Sequence, residues 1–155
     1  MTHLFHAMPT HAATAIRTSG RDAYGRPVEC RTAHEPIYPC RHCLGTIPAG
    51  EDYLVLAYRP FETTNPYAET GPIFLCAKAC KRATPSPEVP TILISPDYIV
   101  RGYDAEERIV YGTGQVTPTA EIGDYAGELL ANPDIAFVDV RSARNNCWQC
   151  RVMRS

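Results

Sequence analysis

Six of the seven cysteines fall into three short pairs, Cys40-x-x-Cys43, Cys76-x-x-x-Cys80 and Cys147-x-x-Cys150, and Cys30 stands alone. Thiols at such spacing can chelate a soft metal, exchange with a disulfide, or pack as small apolar groups. Cys40 and Cys43 lie in PCRHCLGTIPAGEDYL, where Gly45 follows closely and favours a tight knuckle that turns both sulfurs onto one ion. Cys76 closes an apolar run, and Cys80 is four residues on. Read as a helical turn, positions i and i+4 share a face, so both thiols point at the same metal. Four thiolates in two such pairs, a hairpin apart, match a closed tetrahedral Zn²⁺ site of the treble-clef kind, with Cys40, Cys43, Cys76 and Cys80 as ligands. Four thiolates around one divalent ion leave excess negative charge. The flanking Arg41, His42, Lys78, Lys81 and Arg82 would offset it or, in a sharper reading, hold a phosphate.

The third pair reads differently. It falls in a strand, where residues three apart face opposite sides. Trp148, Cys150 and Val152 would share the core face, leaving Cys147 with Gln149 and Arg151. Packed thiols are the simplest account. A thiol redox pair at Cys147 and Cys150, or replacement of Cys76 or Cys80 as a ligand, are the alternatives.

The elements that must position these groups are short. YLVLAY (53–58) opens after Gly50 as a near-continuous apolar run and reads as a buried strand, with residues 72–75 as its partner. A helix is expected over 12–17, with turns at Ser19-Gly20 and Tyr24-Gly25. TPSPEVP (84–90) connects a metal-knuckle half, 1–83, to a hairpin-helix-strand half, 91–155, within one domain. In that second half, residues 98–103 and 108–116 form a hairpin around 104–107. Thr117-Pro118 then offers an N-cap with proline in the first turn. Ile122, Tyr125, Ala126, Leu129 and Leu130 make one apolar helical stripe, stopped by Asn132-Pro133. Strands follow at 135–140 and 147–153. The fold class is α+β: a largely antiparallel sheet with one main helix packed on it, plus the zinc knuckle and hairpin in the N-terminal half.

Outside the cysteines, candidate chemistry is sparse. Gly112-Thr113-Gly114 reads as a bulge in a strand, and His3, His6 and His11 read as exposed terminal histidines. The 60–71 loop is long, and long loops are often functional or disordered. Arg59, Tyr67, Glu69 and Thr70 on or beside it, with Arg141 and Asn145, are the candidate ligand-binding residues.

The 155 residues carry 45% hydrophobic and 21% charged side chains and a formal charge of −2. That balance argues against disorder and against a general nucleic-acid binder. Fourteen prolines and ten glycines favour short elements over a helical bundle. No stretch approaches a membrane span, and the N-terminal residues lack the pattern of an export signal. A cytoplasmic setting is expected, where clustered cysteines mean metal or chemistry more often than disulfides. Charge is uneven: residues 97–139 hold nine acids against Arg101 and Arg108, while only Arg141, Arg144, Arg151 and Arg154 follow Asp139. That cluster reads as exposed strand ends or as a basic patch for an anionic ligand.

The segments DAYG (22–25), YPCRHCL (38–44), IPAGE (47–51), AYRPF (57–61), PYAETGPIF (66–74), RGYDAEERIVYG (101–112) and VDVRSARNNCWQCRV (138–152) cover most of the chain in order. By these the chain resembles the bacterial family called domain of unknown function 1203. The resemblance implies a single-domain bacterial protein and supplies no activity. It also implies that His often stands where this chain has Cys76, and both residues are zinc ligands.

The leading functional expectation is a small soluble zinc-binding protein. Its metal is structural, and it presents a loop surface to a small ligand or protein partner. An enzyme is the second reading, with Arg59, Tyr67, Glu69, Arg141 and Asn145 around a small anionic substrate and Glu69 as acid or base. It stands behind the first because four thiols leave no open ligand position for catalysis.

Overall fold

The computed structural model describes residues 2–155. Its eight strands divide between two antiparallel sheets. The larger has the order β1-β8-β7-β5-β6 and the smaller β2-β3-β4. In the larger sheet β1 is His3–His6, β5 Asp97–Tyr103, β6 Gln115–Pro118, β7 Phe137–Ser142 and β8 Trp148–Arg154; in the smaller, β2 is Glu29–Thr32, β3 Asp52–Tyr58 and β4 Gly71–Cys76. Helix α1, Thr10–Ser19, ends where Gly20 takes a left-handed φ of 67° and donates its N–H to the Ile16 carbonyl. Helix α2, Ile122–Leu130, follows a short 3-10 turn over Thr119–Glu121. The α+β class and the antiparallel pairing agree with the sequence. The division into two sheets is new.

Helix α2 covers one face of the larger sheet. Ile122, Ala126 and Leu130 are fully buried against Val100, Val138, Val140, Cys150 and Val152. Fully burying an aliphatic side chain of this size contributes about 1.5–3 kcal/mol. The other face carries Arg101, Tyr103, Phe137, Asp139 and Arg141 and meets the smaller sheet, α1 and the β3–β4 loop.

Several expectations need correction. The second strand of the hairpin is Gln115–Pro118, because Thr113 pulls the preceding segment into a turn. Its Oγ1 accepts the Gly102 N–H at 2.9 Å and donates to the Val110 carbonyl at 2.6 Å. Gly112, at φ 91°, therefore sits in a turn and not in a strand bulge. Thr117 lies buried inside β6, so it is not the cap of α2. His3 and His6 are half-buried in β1, paired with Arg154 and Arg151 of β8, and only His11 is exposed. Burial, aided by the nearby Arg82 charge, holds His6 below its ordinary pKa.

The largest correction concerns β8. Val140 pairs with Cys150 but Arg141 pairs with Trp148, so Gln149 is the extra residue of a β-bulge. A one-residue offset reverses the side chains beyond it. Cys150 and Val152 stay under α2, whereas Trp148 crosses to the opposite face and packs edge-on against Tyr58, ring centroids 5.4 Å apart.

Candidate metal centre

The first cysteine pair sits in a knuckle closed by its own backbone. The Leu44 N–H bonds the Cys40 carbonyl at 2.9 Å, and the Cys40 N–H bonds the Gly45 carbonyl at 2.8 Å. Leu44, not Gly45, takes the left-handed conformation, with φ 55°. Gly50, at φ 89°, makes the turn into β3. The knuckle lies along β4: Cys40 bridges Phe74, and the Arg41 N–H reaches the Phe74 carbonyl.

Cys76 ends β4, and the chain beyond it is irregular, so Cys76 and Cys80 do not share a helical turn. The Arg17 Nε–H donates to the Cys76 carbonyl at 3.1 Å, and the Ala83 N–H bonds the His42 carbonyl at 2.9 Å. These bonds hold the segment beside the knuckle without helix geometry. The four sulfurs of Cys40, Cys43, Cys76 and Cys80 lie within 4.8 Å of one another. Cys40 and Cys80 Sγ are 3.8 Å apart, and Cys43 and Cys76 Sγ 4.0 Å. For a Zn–S bond of about 2.3 Å, the edge of a tetrahedron is about 3.8 Å. Two of the six sulfur separations therefore stand near a tetrahedral edge, and all six lie within 4.8 Å.

The electrostatics point the same way. Hydrogen bonds from the Cys43 and Cys76 thiols hold the Cys40 thiol well below its usual range, despite its burial. The same contacts push Cys43 up to about 11 and Cys76 upward as well. One thiolate is stabilised by its neighbours' protons, and further ionisation is opposed by like charge. A divalent cation would remove that opposition.

Of the groups adjacent in sequence His42 does reach a sulfur, and it is joined there by a residue distant in sequence. Arg17 of α1 brings Nη2 to 3.3 Å from Cys80 Sγ. His42, almost fully buried, bridges Cys80 Sγ (Nδ1, 3.1 Å) and Thr10 Oγ1 (Nε2, 2.9 Å). The tautomer that suits a thiolate has Thr10 donating to Nε2 and Nδ1–H donating to sulfur. Arg41 turns away, Nε–H donating to the Trp148 carbonyl at 2.6 Å. Arg82 also turns away, to the carbonyls of Met8 and Ala7. No sequence spacing links Arg17 to Cys80, since their contact depends on how α1 docks.

The six candidate ligand-binding residues do not gather in one place. Glu69 and Arg141 meet: Arg141 Nε lies 2.6 Å from Glu69 Oε2, although the N–H is not aligned on it. Two further residues, missed in the sequence, complete the contact. Arg101 Nη2 donates to Glu69 Oε2 at 2.5 Å, and the Tyr103 hydroxyl donates to both carboxylate oxygens at 3.0 Å. Their signal was the alternation Ile99-Arg101-Tyr103 on one face of β5, which reads as solvated until the loop covers it. Arg59 instead donates to the Phe61 carbonyl, Tyr67 bonds the Tyr111 hydroxyl, Thr70 turns back on Ala68, and exposed Asn145 lies in the β7–β8 turn.

The loop that carries Glu69 works as a clamp between the sheets. Glu107 accepts the Glu62 and Thr63 N–H groups, and the Asn65 amide donates to the Glu106 and Glu107 carbonyls. Phe61 packs with Tyr103 and Phe137, and the Arg151 guanidinium lies 3.7 Å from the Phe137 ring centroid.

A family model described as Protein of unknown function (DUF1203) matches residues 37–154, which takes in all four clustered cysteines but not α1. No curated protein and no solved structure matches the chain. Among the described residues, no helix is long and apolar enough to cross a membrane.

Proposed function

The chain belongs to the DUF1203 family, whose description names no activity, and from its own residues we propose a zinc-binding protein in which the metal is structural. Cys40, Cys43, Cys76 and Cys80 are the ligands, and the ion ties the knuckle to the end of the β3–β4 hairpin. The observation that carries this reading is the pair of sulfur separations, 3.8 and 4.0 Å, near a tetrahedral edge. Four sulfur donors fill the zinc shell and leave no position for a reacting water, which favours a structural over a catalytic role. Arg17 and His42 supply donors to Cys80, the kind of outer support that structural thiolates use.

Glu69 suits a structural role better than acid–base catalysis, because two guanidinium groups and a tyrosine hydroxyl already engage its carboxylate. Cys150 is buried and its thiol is raised by that burial, which disfavours a redox pair with Cys147. Metal analysis of the purified full chain, with native mass spectrometry, tests the reading. One zinc per chain is expected, retained through gel filtration and released by a strong chelator with loss of β structure. Less than about half an equivalent, with all four thiols freely reactive, would sink it.

A further inference from the structure

Between the knuckle, the start of β5 and the β7–β8 turn lies a cleft of about 880 Å³. Its size falls in the range of small-molecule sites. Pro39, Phe74, Ile92 and Tyr98 give it an apolar lining, and Ile37 and Ile94 stand beside them 60% and 88% exposed. A single exposed apolar residue is ordinary, but two on one apolar cleft mark a surface suited to a ligand.

Charge supplies a second, independent observation. Arg41 is the one charged side chain among the residues lining the cleft, and no carboxylate lines it. Asp97, next to Tyr98, is held by Arg144 at 2.9 Å, and exposed Glu35 lies outside the lining. Arg41 is 3% exposed, and the carbonyls of Trp148 and Pro39 accept from its Nε and Nη1. These acceptors are neutral, so they fix the guanidinium without cancelling its charge. Nη2 bonds nothing among the described residues, and it is not one of the unpaired atoms sealed from water. A buried cation without a counter-charge is unfavourable, and the cleft is where an anion can supply one.

We propose that this cleft binds a small monocarboxylate with an apolar body. One fixed positive charge balances one carboxylate, whereas a dianion would stay half unmatched. Arg41 Nη2 donates to the carboxylate in a charge-assisted bond, and the apolar lining covers the body. Cys147, half-buried, lines the same cleft and comes under the ligand. The site uses no sulfur of the proposed zinc site and stands without that reading.

Protection of Cys147 tests this on the full chain. Hydrocinnamate should slow its alkylation by neutral iodoacetamide saturably, read by mass spectrometry, while exposed Cys30, outside the cleft, keeps its rate. The amide of the same acid, alike in shape but uncharged, should not protect at the same concentrations. Arg41→Gln should weaken hydrocinnamate binding at least about tenfold. Because Arg41 also braces Trp148, two variants at exposed Ile94 test the charge without touching the core. At low salt Ile94→Asp should weaken binding about threefold and Ile94→Lys should strengthen it about as much. The proposal is overturned if hydrocinnamate gives no saturable protection by about 10 mM, or if its amide protects as well. It is equally overturned if folded Arg41→Gln binds like the parent, or if both Ile94 variants do.

Discussion

The chain contains the same four-residue spacing twice, Cys40-x-x-Cys43 and Cys147-x-x-Cys150, and the two copies behave in opposite ways. At the first, Leu44 enters the left-handed region and the backbone closes on itself through two hydrogen bonds, so both sulfurs reach the same point. At the second, the chain runs from a turn into a strand. Cys147 stays half-exposed with its thiol on the Asn145 carbonyl, while Cys150 is buried beneath α2. Spacing brings two thiols together only where backbone dihedrals turn the chain back. Convergence also needs a second pair, and only the first copy has Cys76 and Cys80 across from it.

The sharpest way to break this comparison is to remove one sulfur from each region. Cys76→Ser should abolish tight zinc binding and unfold the small sheet. Binding of a structural zinc is worth about 10–16 kcal/mol in small domains, comparable to the whole stability of a protein this size. Cys147→Ser should keep its zinc and its melting temperature within a few degrees. Metal content and thermal unfolding of the two variants decide it, and equal loss in both would erase the distinction.

A smaller effect sharpens the role of the outer shell. Arg17→Ala, which removes the guanidinium from Cys80, should weaken zinc affinity about 10–100-fold while leaving one zinc per chain at saturation. Competition against a chromophoric chelator measures this. The same substitution should leave Cys147 and Cys150 untouched.

The smallest effect concerns reactivity without metal loss. Burial pushes the Cys150 thiol upward, so its thiolate fraction is negligible at pH 7 and stays low through pH 9. With zinc bound, alkylation should therefore label exposed Cys30 first and Cys147 more slowly, leaving Cys150 silent across that range. Mass spectrometry of the labelled chain reads the order. Rapid labelling of Cys150 at pH 7 would mean that the strand opens readily.

What could be read in the sequence, and what could not, follows the same physics. YLVLAY, the α2 stripe and the last two strands were legible because periodic apolar residues report one buried face. β2 was not, since ECRT is exposed at every position and is a strand only because β3 pairs with it. The clustering of four cysteines was visible, but the irregular backbone from Cys76 to Cys80 was not, because bonds from Arg17 and His42 hold it. Glu69 and Arg141 are expected around one pocket and do meet, but the loop clamp that brings them together, and the Arg101 and Tyr103 that fill the contact, are not legible in the sequence. The bulge at Gln149 left no mark, as Trp, Gln and Cys are all compatible with a regular strand. A regular strand would put Trp148 on the α2 face with Cys150, and the bulge puts it on the other.

That bulge has a mechanical consequence. Arg41, inside the knuckle, grips the carbonyl of Trp148 at the point where β8 changes allegiance between the two sides of the sheet. The knuckle is thus tied to the larger sheet at two points on one residue, the Arg41 guanidinium on β8 and the Arg41 carbonyl, which accepts the Met8 N–H just beyond β1. A shift of β8 at its bulge therefore moves the residue next to Cys40 directly, so the place of the strand and the place of the sulfur cluster are set together.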